Sequence, residues 1–466
     1  VKVLDTVHTR LTWAGPVDLP LHGEADVQAA CGIMHVHGRR YGQPTRLALD
    51  YATLVAEELL DQGVLAAKIA RIRGNPLDSV STSVAQAALL VISQYLAAAT
   101  AGDDRPEPLL PGGPPFVSSD GVRFEIESLD PFVWQCFWSV LCAEPIAVRD
   151  GWQSFLHRFA TATCPLPGKL VDLVGELPFA CLREVAAHTG MSIVRVLSRS
   201  PTGIPAYRLT PLPGTATLPA ASATAPLAGI TVLEVTRRLQ GPLAGHLLTL
   251  LGAKVIRIEP PGGDLLRGAP PISGDCSARF LAVNRGKQVL RIDLNTAQGR
   301  SEVLELAAGA DVFLHNWAPG KAEQRALDAG DLARVSPGIV YAWASGWGQE
   351  FGADPPLGTD YLVQAHSGLA ARTPSLMTVV DIFGGLVCAH GVLDALLHKA
   401  LTGEGSRVDS SLLSAAVRLS SGPLGTSSPE VPICTDLTEL AADPRFAAAL
   451  VREGCVFPCS PWEFST

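Results

Sequence analysis

The sequence is short of charge: only 17% of its 466 residues are Asp, Glu, Lys or Arg, against 47% apolar. That balance excludes a disordered chain and fits a well-buried globular one. Basic blocks are absent as well. With 36 basic and 45 acidic residues the net charge is −9, so no extended nucleic-acid surface is expected, although a local basic pocket for an anionic ligand is compatible with it. Ten cysteines are scattered without a CxxC pair or nearby histidine partners. They read as buried thiols of a reducing cytosol, not as a disulfide framework or a zinc site, and no metal is assigned. No signal-peptide pattern opens the chain, and no uninterrupted apolar run reaches the length of a membrane span. A soluble, cytoplasmic protein without a membrane partner is expected.

What is present is a chain too long for one ordinary core, so two or three domains are expected. Pro/Gly/Ala-rich stretches at 101–115 and 200–226 punctuate it. Between them, strand-like "GVRFEIES" and helical pieces, with Trp134, Trp138 and Trp152 as core, suggest a small α+β domain. After the second stretch, apolar runs at 229–235, 254–259, 311–316 and 338–345 alternate with helical segments of ten or so residues. Such alternation predicts an α/β fold with a doubly wound, Rossmann-like parallel sheet. Ligands sit at the carboxyl ends of such strands, which points at the loops after Val235, Glu259 and Asn316. The first of these loops reads "QGPLAGH" and holds no GxGxxG, which argues against a nicotinamide dehydrogenase.

The sequence also repeats itself. "QAACGIMHVHGRR" (28–40) echoes "QAHSGLAARTP" (364–374), and 63–88 matches 391–416 without a gap, pairing Gly63 with Gly391, Val80 with Val408 and Ser83 with Ser411. Two patches in the same order, more than 300 residues apart, indicate a duplicated domain segment and not a solenoid.

Five segments carry a resemblance to a known family: 227–267, "NRGKQVLRIDL" (284–294), "ADVFLHNWAPG" (310–320), "GTDYLVQAHSGL" (358–369) and "LMTVVDIFGGLVCAHGVLDALLHKALTGEGSRVDSSLLSAA" (376–416). In this order they resemble the family III (CaiB/BaiF) CoA-transferases, which include formyl-CoA transferase. The resemblance implies that family's large α/β domain, with a small α+β domain at 113–200. The order of parts departs from the family, however. Residues 1–112 read as a partial first module bearing a helical Asp segment, 201–226 as a linker, 227–420 as a CoA-binding module with a second Asp segment, and 421–466 as a returning tail. Family members form interlocked dimers, so the chain reads as two fused modules: a pseudo-dimer within one chain, or a subunit of a further homodimer.

The resemblance implies coenzyme A as substrate and product, an acyl-CoA donor and a small carboxylic acid as partners, and an aspartate nucleophile. Asp381 matches that aspartate. An aspartate at a helix start is ordinarily a cap, but the oriented N–H groups and dipole of a helix start also keep a carboxylate ionised. Gly384 and Gly385 are expected to let a thioester approach the backbone. The carboxylate would attack the thioester to give a mixed anhydride and thiolate. An incoming carboxylate would displace the acyl group, and the thiolate would return. Asp360 ranks second, near the reaction centre. Racemases of the same family use a Gly-His-Asp motif, and Gly358-Thr359-Asp360 lacks the base, which disfavours a CoA-ester isomerase.

For CoA itself, Arg267, Arg285 and Lys287 are candidate phosphate contacts. Lys254 and Arg257 divide evenly between ligand contacts and a solvated rim. The resemblance places Leu294, Asn295 and Asn316 near the adenosine, with Pro319 and Gly320 in a turn beside it. The family's following arginine is matched here by Gln324, while Arg325 is expected to point elsewhere on its helix. In the first copy, Asp50 is a possible second nucleophile or a decayed structural residue, and Thr53 stands at the spacing of Asp381. His35, His37 and His366 read as surface or capping residues. The rival to an enzyme is a non-catalytic CoA-ester-binding or assembly subunit.

Overall fold

A computed structural model describes residues 6–102, 109–221, 225–352, 354–425 and 427–466. Residues 103–108 and 222–224 of the two Pro/Gly/Ala-rich stretches lie outside the described residues.

The apolar runs of the second half form a mixed α/β layer structure around a seven-stranded sheet. Across the sheet the strands run Gln288–Arg291, Lys254–Glu259, Thr231–Val235, Val312–His315, Val340–Ser345, Glu404–Ser411 and Tyr207–Thr215. All neighbours are parallel except the last pair, where Tyr207–Thr215 is antiparallel. Strand order reverses beside Thr231–Val235, because the chain first builds outward to one edge and then returns to build the other. Alternate residues face opposite sides. Val232, Val255, Leu314 and Val340 join the main core with helices Gln240–Leu250 and Val379–Thr402. Leu233, Ile256, Phe313 and Tyr341 form a second core with helices Ala297–Ala307 and Ala329–Val335.

Sequence composition misled at 201–226. Nine of those residues, Tyr207–Thr215, are an edge strand of the sheet rather than a linker. Helix Val379–Thr402, although it contains charged residues, is long and apolar enough to cross a membrane by length and hydropathy. In the fold it is a core helix, with 83% of its most apolar window buried inside the protein.

Residues 116–195 form a three-stranded antiparallel sheet with five helices, in which Trp134 and Trp138 are fully buried and Trp152 packs against Trp134. The first hundred residues have their own small sheet. His8–Thr12 runs parallel to Ser79–Ser83, and Glu463–Ser465, from the far end of the chain, pairs antiparallel on its other side.

The two repeats fold alike and pack on one another. Helix Tyr51–Ile72 lies against helix Val379–Thr402. Tyr51 donates its hydroxyl to the Val379 carbonyl at 2.6 Å, and Gln62 donates to the Leu386 carbonyl at 2.9 Å. Its counterpart on the second helix, His390, bonds Glu58 at 2.6 Å, and Glu58 also pairs with Arg418. Residue by residue this is the reciprocity of a two-fold interface, here within a single chain. Gly63 and Gly391 match in their packing too. A Cβ at Gly63 would lie 2.6 Å from Val80, and one at Gly391 would lie 2.6 Å from Val408, so both helices need a glycine where they cross their strand.

Candidate active site

The carboxyl ends of the central strands open into a cavity of about 620 Å3. Its wall is built from the loops that the strand-end rule selects: Thr236 to Arg238, Glu259 and Pro260, Asn316 to Pro319, and Gly346 to Gly348. Leu294, Asn295, Asn316, Trp317, Lys321 and Arg325 line one part of it, and Gln240, Ser345, Thr359, Asp381 and Leu412 another.

Asp381 is the third residue of its helix, and it does not cap it. The helix-start N–H groups of Val380 and Asp381 donate to Asp360 Oδ2 at 2.7 and 2.8 Å. Gln364, one turn along from Asp360, donates its amide to the other carboxylate oxygen. A second carboxylate therefore takes the helix dipole, and the Asp381 side chain is left facing the cavity. This corrects the expectation that the helix start itself holds Asp381 ionised. Burial raises the Asp381 carboxyl well above its ordinary range, the Asp360 charge raises it further, and the Arg238 guanidinium opposes both. Burial pushes Asp360 up to about 7, against the pull of Gln364 and the two backbone donors.

Gly384 and Gly385 serve packing and not ligand approach. A Cβ at Gly384 would meet Leu412 at 2.9 Å and the Gln240 amide at 3.1 Å, and one at Gly385 would meet the Gln240 carbonyl at 2.8 Å. The pair brings helix Gln240–Leu250 against the Asp381 helix, which sets Gln240 into the cavity wall.

Three candidate phosphate contacts are spoken for elsewhere. Lys287 is fully buried, donates to the Pro242 carbonyl and pairs with Glu234 at 2.7 Å. Arg267 is bidentate on Glu259 at 2.8 Å and lies over the Phe280 ring. Arg285 donates to the Pro458 carbonyl over the Phe457 ring. None of the three lines the cavity. Loop position alone had suggested ligand contact, but each faces an acidic or carbonyl partner within the fold. Arg257 reaches the cavity wall only as the centre of a buried network with Glu234 (2.5 Å), Glu259 (3.1 Å) and Asp264 (2.6 Å). Lys254 is exposed at the start of the same strand.

Leu294, Asn295, Asn316 and Pro319 do line the cavity, and Gly320 adjoins it in a left-handed turn at φ +76°. Asn316 clamps the neighbouring loop, accepting the Arg237 N–H at 2.9 Å and donating to the Arg237 carbonyl at 2.8 Å. Gln324 bonds Lys321 and stays outside. Arg325, expected to point away, enters the cavity wall over the Trp317 ring, because the short helix Lys321–Gln324 has ended before it.

Sequence reasoning passed over Arg237 and Arg238. Both are exposed, both line the cavity, and neither side chain has a hydrogen-bond or ion-pair partner among the described residues. Their position directly after strand Thr231–Val235, at the reversal of strand order, was the available signal. The Thr359 hydroxyl is a further unpaired group of the lining. An anionic, hydrogen-bonding ligand suits such a wall, with free guanidinium groups and an amide- and indole-rich end.

Asp50 is not the counterpart of Asp381. It pairs with Arg46 at 3.2 Å away from the cavity. The cradle of Asp381 recurs around Thr53 instead. Glu24 accepts the N–H groups of Ala52 and Thr53 at 2.9 and 2.8 Å, and Gln28 donates to Glu24 just as Gln364 does to Asp360. His35 and His37 sit buried in helix Ile33–Gly38 and not on the surface, with His37 bonded to Ser375. His366 pairs with Glu350. Among the described residues no cluster of His, Cys, Asp and Glu is fit to hold a metal ion.

Residues 227–441 match the model of CoA-transferase family III. Over 222 residues the chain is 34% identical to a probable fatty acyl-CoA transferase of Mycobacterium tuberculosis, covering 44% of this chain and 55% of that one. Over 203 residues it is 36% identical to the succinyl-CoA:glutarate CoA-transferase of Mus musculus, covering 41% and 46%. A solved CaiB/BaiF family protein of Brucella suis is 31% identical, covers 44% of this chain and 60% of that one, and superposes with a TM-score of 0.40. The chain thus spans about half the length of the curated relatives it matches. Residues 227–441, a little under half of the chain, are thus the part that matches CoA-transferase family III.

Proposed function

We propose that this protein moves CoA from an acyl-CoA thioester to a carboxylic acid, with Asp381 as the nucleophile. The observation that carries the reading is the freed Asp381 carboxyl. Its own helix is capped by Asp360, which leaves Asp381 to line a cavity walled by cations and by apolar and amide groups. The names of the relatives, CoA-transferases on fatty acyl or dicarboxylic acids, support the same class.

In the proposed cycle the Asp381 carboxylate attacks the thioester carbonyl. The C–S bond breaks and CoA leaves as thiolate, giving a mixed anhydride on Asp381. The incoming carboxylate attacks the aspartyl carbonyl and expels the first acid, which exchanges one anhydride for another. The thiolate then attacks the new acyl carbonyl, forming the product thioester and returning the Asp381 carboxylate. Arg325, Arg237 and Lys321 would hold the phosphates at the Asn316 end, and Arg238 the charge near Asp381. The first copy, with its helix packed on the second, supports a pseudo-dimer within the chain, and the ten free cysteines suit a reducing cytosol.

The test is mass spectrometry after incubation with acyl-CoA esters and hydroxylamine, which converts an aspartyl anhydride or thioester into a hydroxamate. A hydroxamate on the Asp381 peptide, absent in Asp381→Ala, is expected. If CoA esters bind and no peptide is modified with any ester, the reading of a non-catalytic CoA-ester-binding subunit replaces this one.

A further inference from the structure

Two consecutive arginines leave strand Thr231–Val235, and the backbone sends them to different tasks. Arg237 is pinned by both Asn316 bonds at the adenosine end, and the Arg325 cation feels its charge. Arg238 follows with φ at +67°, the left-handed region that an arginine seldom adopts. Such a conformation costs about 1 kcal/mol or more, and it persists only where the surroundings dictate it. Past this turn Arg238 lines the same cavity as Asp381, and its charge is the cation felt by Asp381.

Four nearby cations are matched within the fold, whereas Arg237, held by its backbone to Asn316, has a side chain as open as that of Arg238. Arg257 has Glu234, Glu259 and Asp264, Lys287 has Glu234, Arg267 has Glu259, and Arg407 has Asp409. Arg238 has no ion-pair or hydrogen-bond partner among the described residues, although it lines the cavity that Asp381 also lines. A permanently charged planar fork left open at the reacting end of an anion site is equipped for one thing above all: a ligand carboxylate.

We propose that Arg238 is a specificity-determining residue that binds the non-reacting carboxylate of a dicarboxylic acid, and of the corresponding carboxyacyl-CoA, while the other carboxyl reacts at Asp381. This rests on the CoA-transfer reading above and narrows its substrate class. In that cycle Asp381 carries first the donor's acyl group and then the acceptor's, so one guanidinium serves each anhydride in turn. A monocarboxylic acid of equal length leaves the fork empty and forgoes one charge-assisted hydrogen-bonded pair.

The experiment compares kcat/KM for dicarboxylic acids with that for monocarboxylic acids of the same carbon count, in the unmodified protein and in Arg238→Gln, Arg238→Lys and Arg238→Gly. Glycine accepts the +67° backbone without strain, which keeps the fold out of the comparison. The unmodified protein is expected to prefer the dicarboxylate, and that ratio is expected to fall by about tenfold or more in Gln and Gly, the size of a lost charged hydrogen bond. The Lys variant is expected to retain part of it. A ratio that stays constant while both acids slow together overturns the assignment and moves Arg238 to CoA binding or to the Asp381 charge. A ratio unaffected by all three variants overturns it as well. If no acid of either kind accepts CoA, the transfer reading itself has failed, and the assignment falls with it.

Discussion

Thr53 and Asp381 occupy the same place in two copies of one cradle. Each backbone N–H at that place is held by a buried carboxylate from a preceding helix, Glu24 for Thr53 and Asp360 for Asp381. The side chains then part ways. Asp381 faces the cavity, while the Thr53 hydroxyl turns back and donates to Glu24 at 2.7 Å. One copy is open to a ligand and the other is closed on itself.

The two sites should therefore respond oppositely to truncation. Asp381→Ala is expected to lower the proposed CoA transfer by about three orders of magnitude or more, as loss of a nucleophile does, without loss of folding. Thr53→Ala is expected to leave turnover intact and to cost about 1–3 kcal/mol of stability, because Glu24 loses a donor in a buried setting. Steady-state rates and urea unfolding of the two variants separate these effects.

In the proposed cycle, attack on a thioester requires the Asp381 carboxylate, so the rate should rise with pH through the titration of the Asp360–Asp381 pair. Both members are raised, which places the acid limb of kcat/KM above the ordinary carboxylate range. Asp360→Asn removes the like charge and should carry that limb to lower pH. An unmoved limb in the pH profile would assign it to another group.

Gly384→Ala and Gly385→Ala should both destabilise by about 1–3 kcal/mol, the scale of an overpacked core. Neither added methyl has space, the first against Leu412 and Gln240 and the second against the Gln240 carbonyl and Leu243. Denaturant midpoints report the loss, and a parallel fall in turnover would reflect displacement of Asp381 one turn away.

His390 supplies a stability signal with a defined sign. Burial alone would lower its pKa, but the hydrogen bond and charge of Glu58 outweigh burial and raise it above the unfolded value. The pair's contribution is then full below the ordinary histidine range and is lost as pH rises through the raised folded value. Melting temperatures should fall across that window in the unmodified protein and flatten in His390→Gln.

Period and order made the α/β sheet and the duplication legible, because parallel strands buried on both faces read as continuous apolar runs. The cavity's position followed from the same rule. Charge partners were not legible. Arg267, Arg285 and Lys287 read as ligand contacts since nothing in the linear sequence tells that Glu259, Pro458 and Glu234 meet them. Arg238 was missed for the converse reason: its direction depends on one left-handed backbone angle at a non-glycine residue. The spacing of Asp50 suggested a nucleophile, but the helix start it precedes is claimed by Glu24, which singles out Thr53.

The edge strands carry one more implication. Tyr207–Thr215 precedes the 216–228 connection, yet it completes the sheet built after that connection, while Glu463–Ser465 returns to complete the small sheet built before it. Each side of the connection thus lends a strand to the other, like two hands clasped. A protease that cut between residues 216 and 228 would sever the backbone without releasing either fragment, and the nicked protein should elute undivided until denaturant opens both sheets.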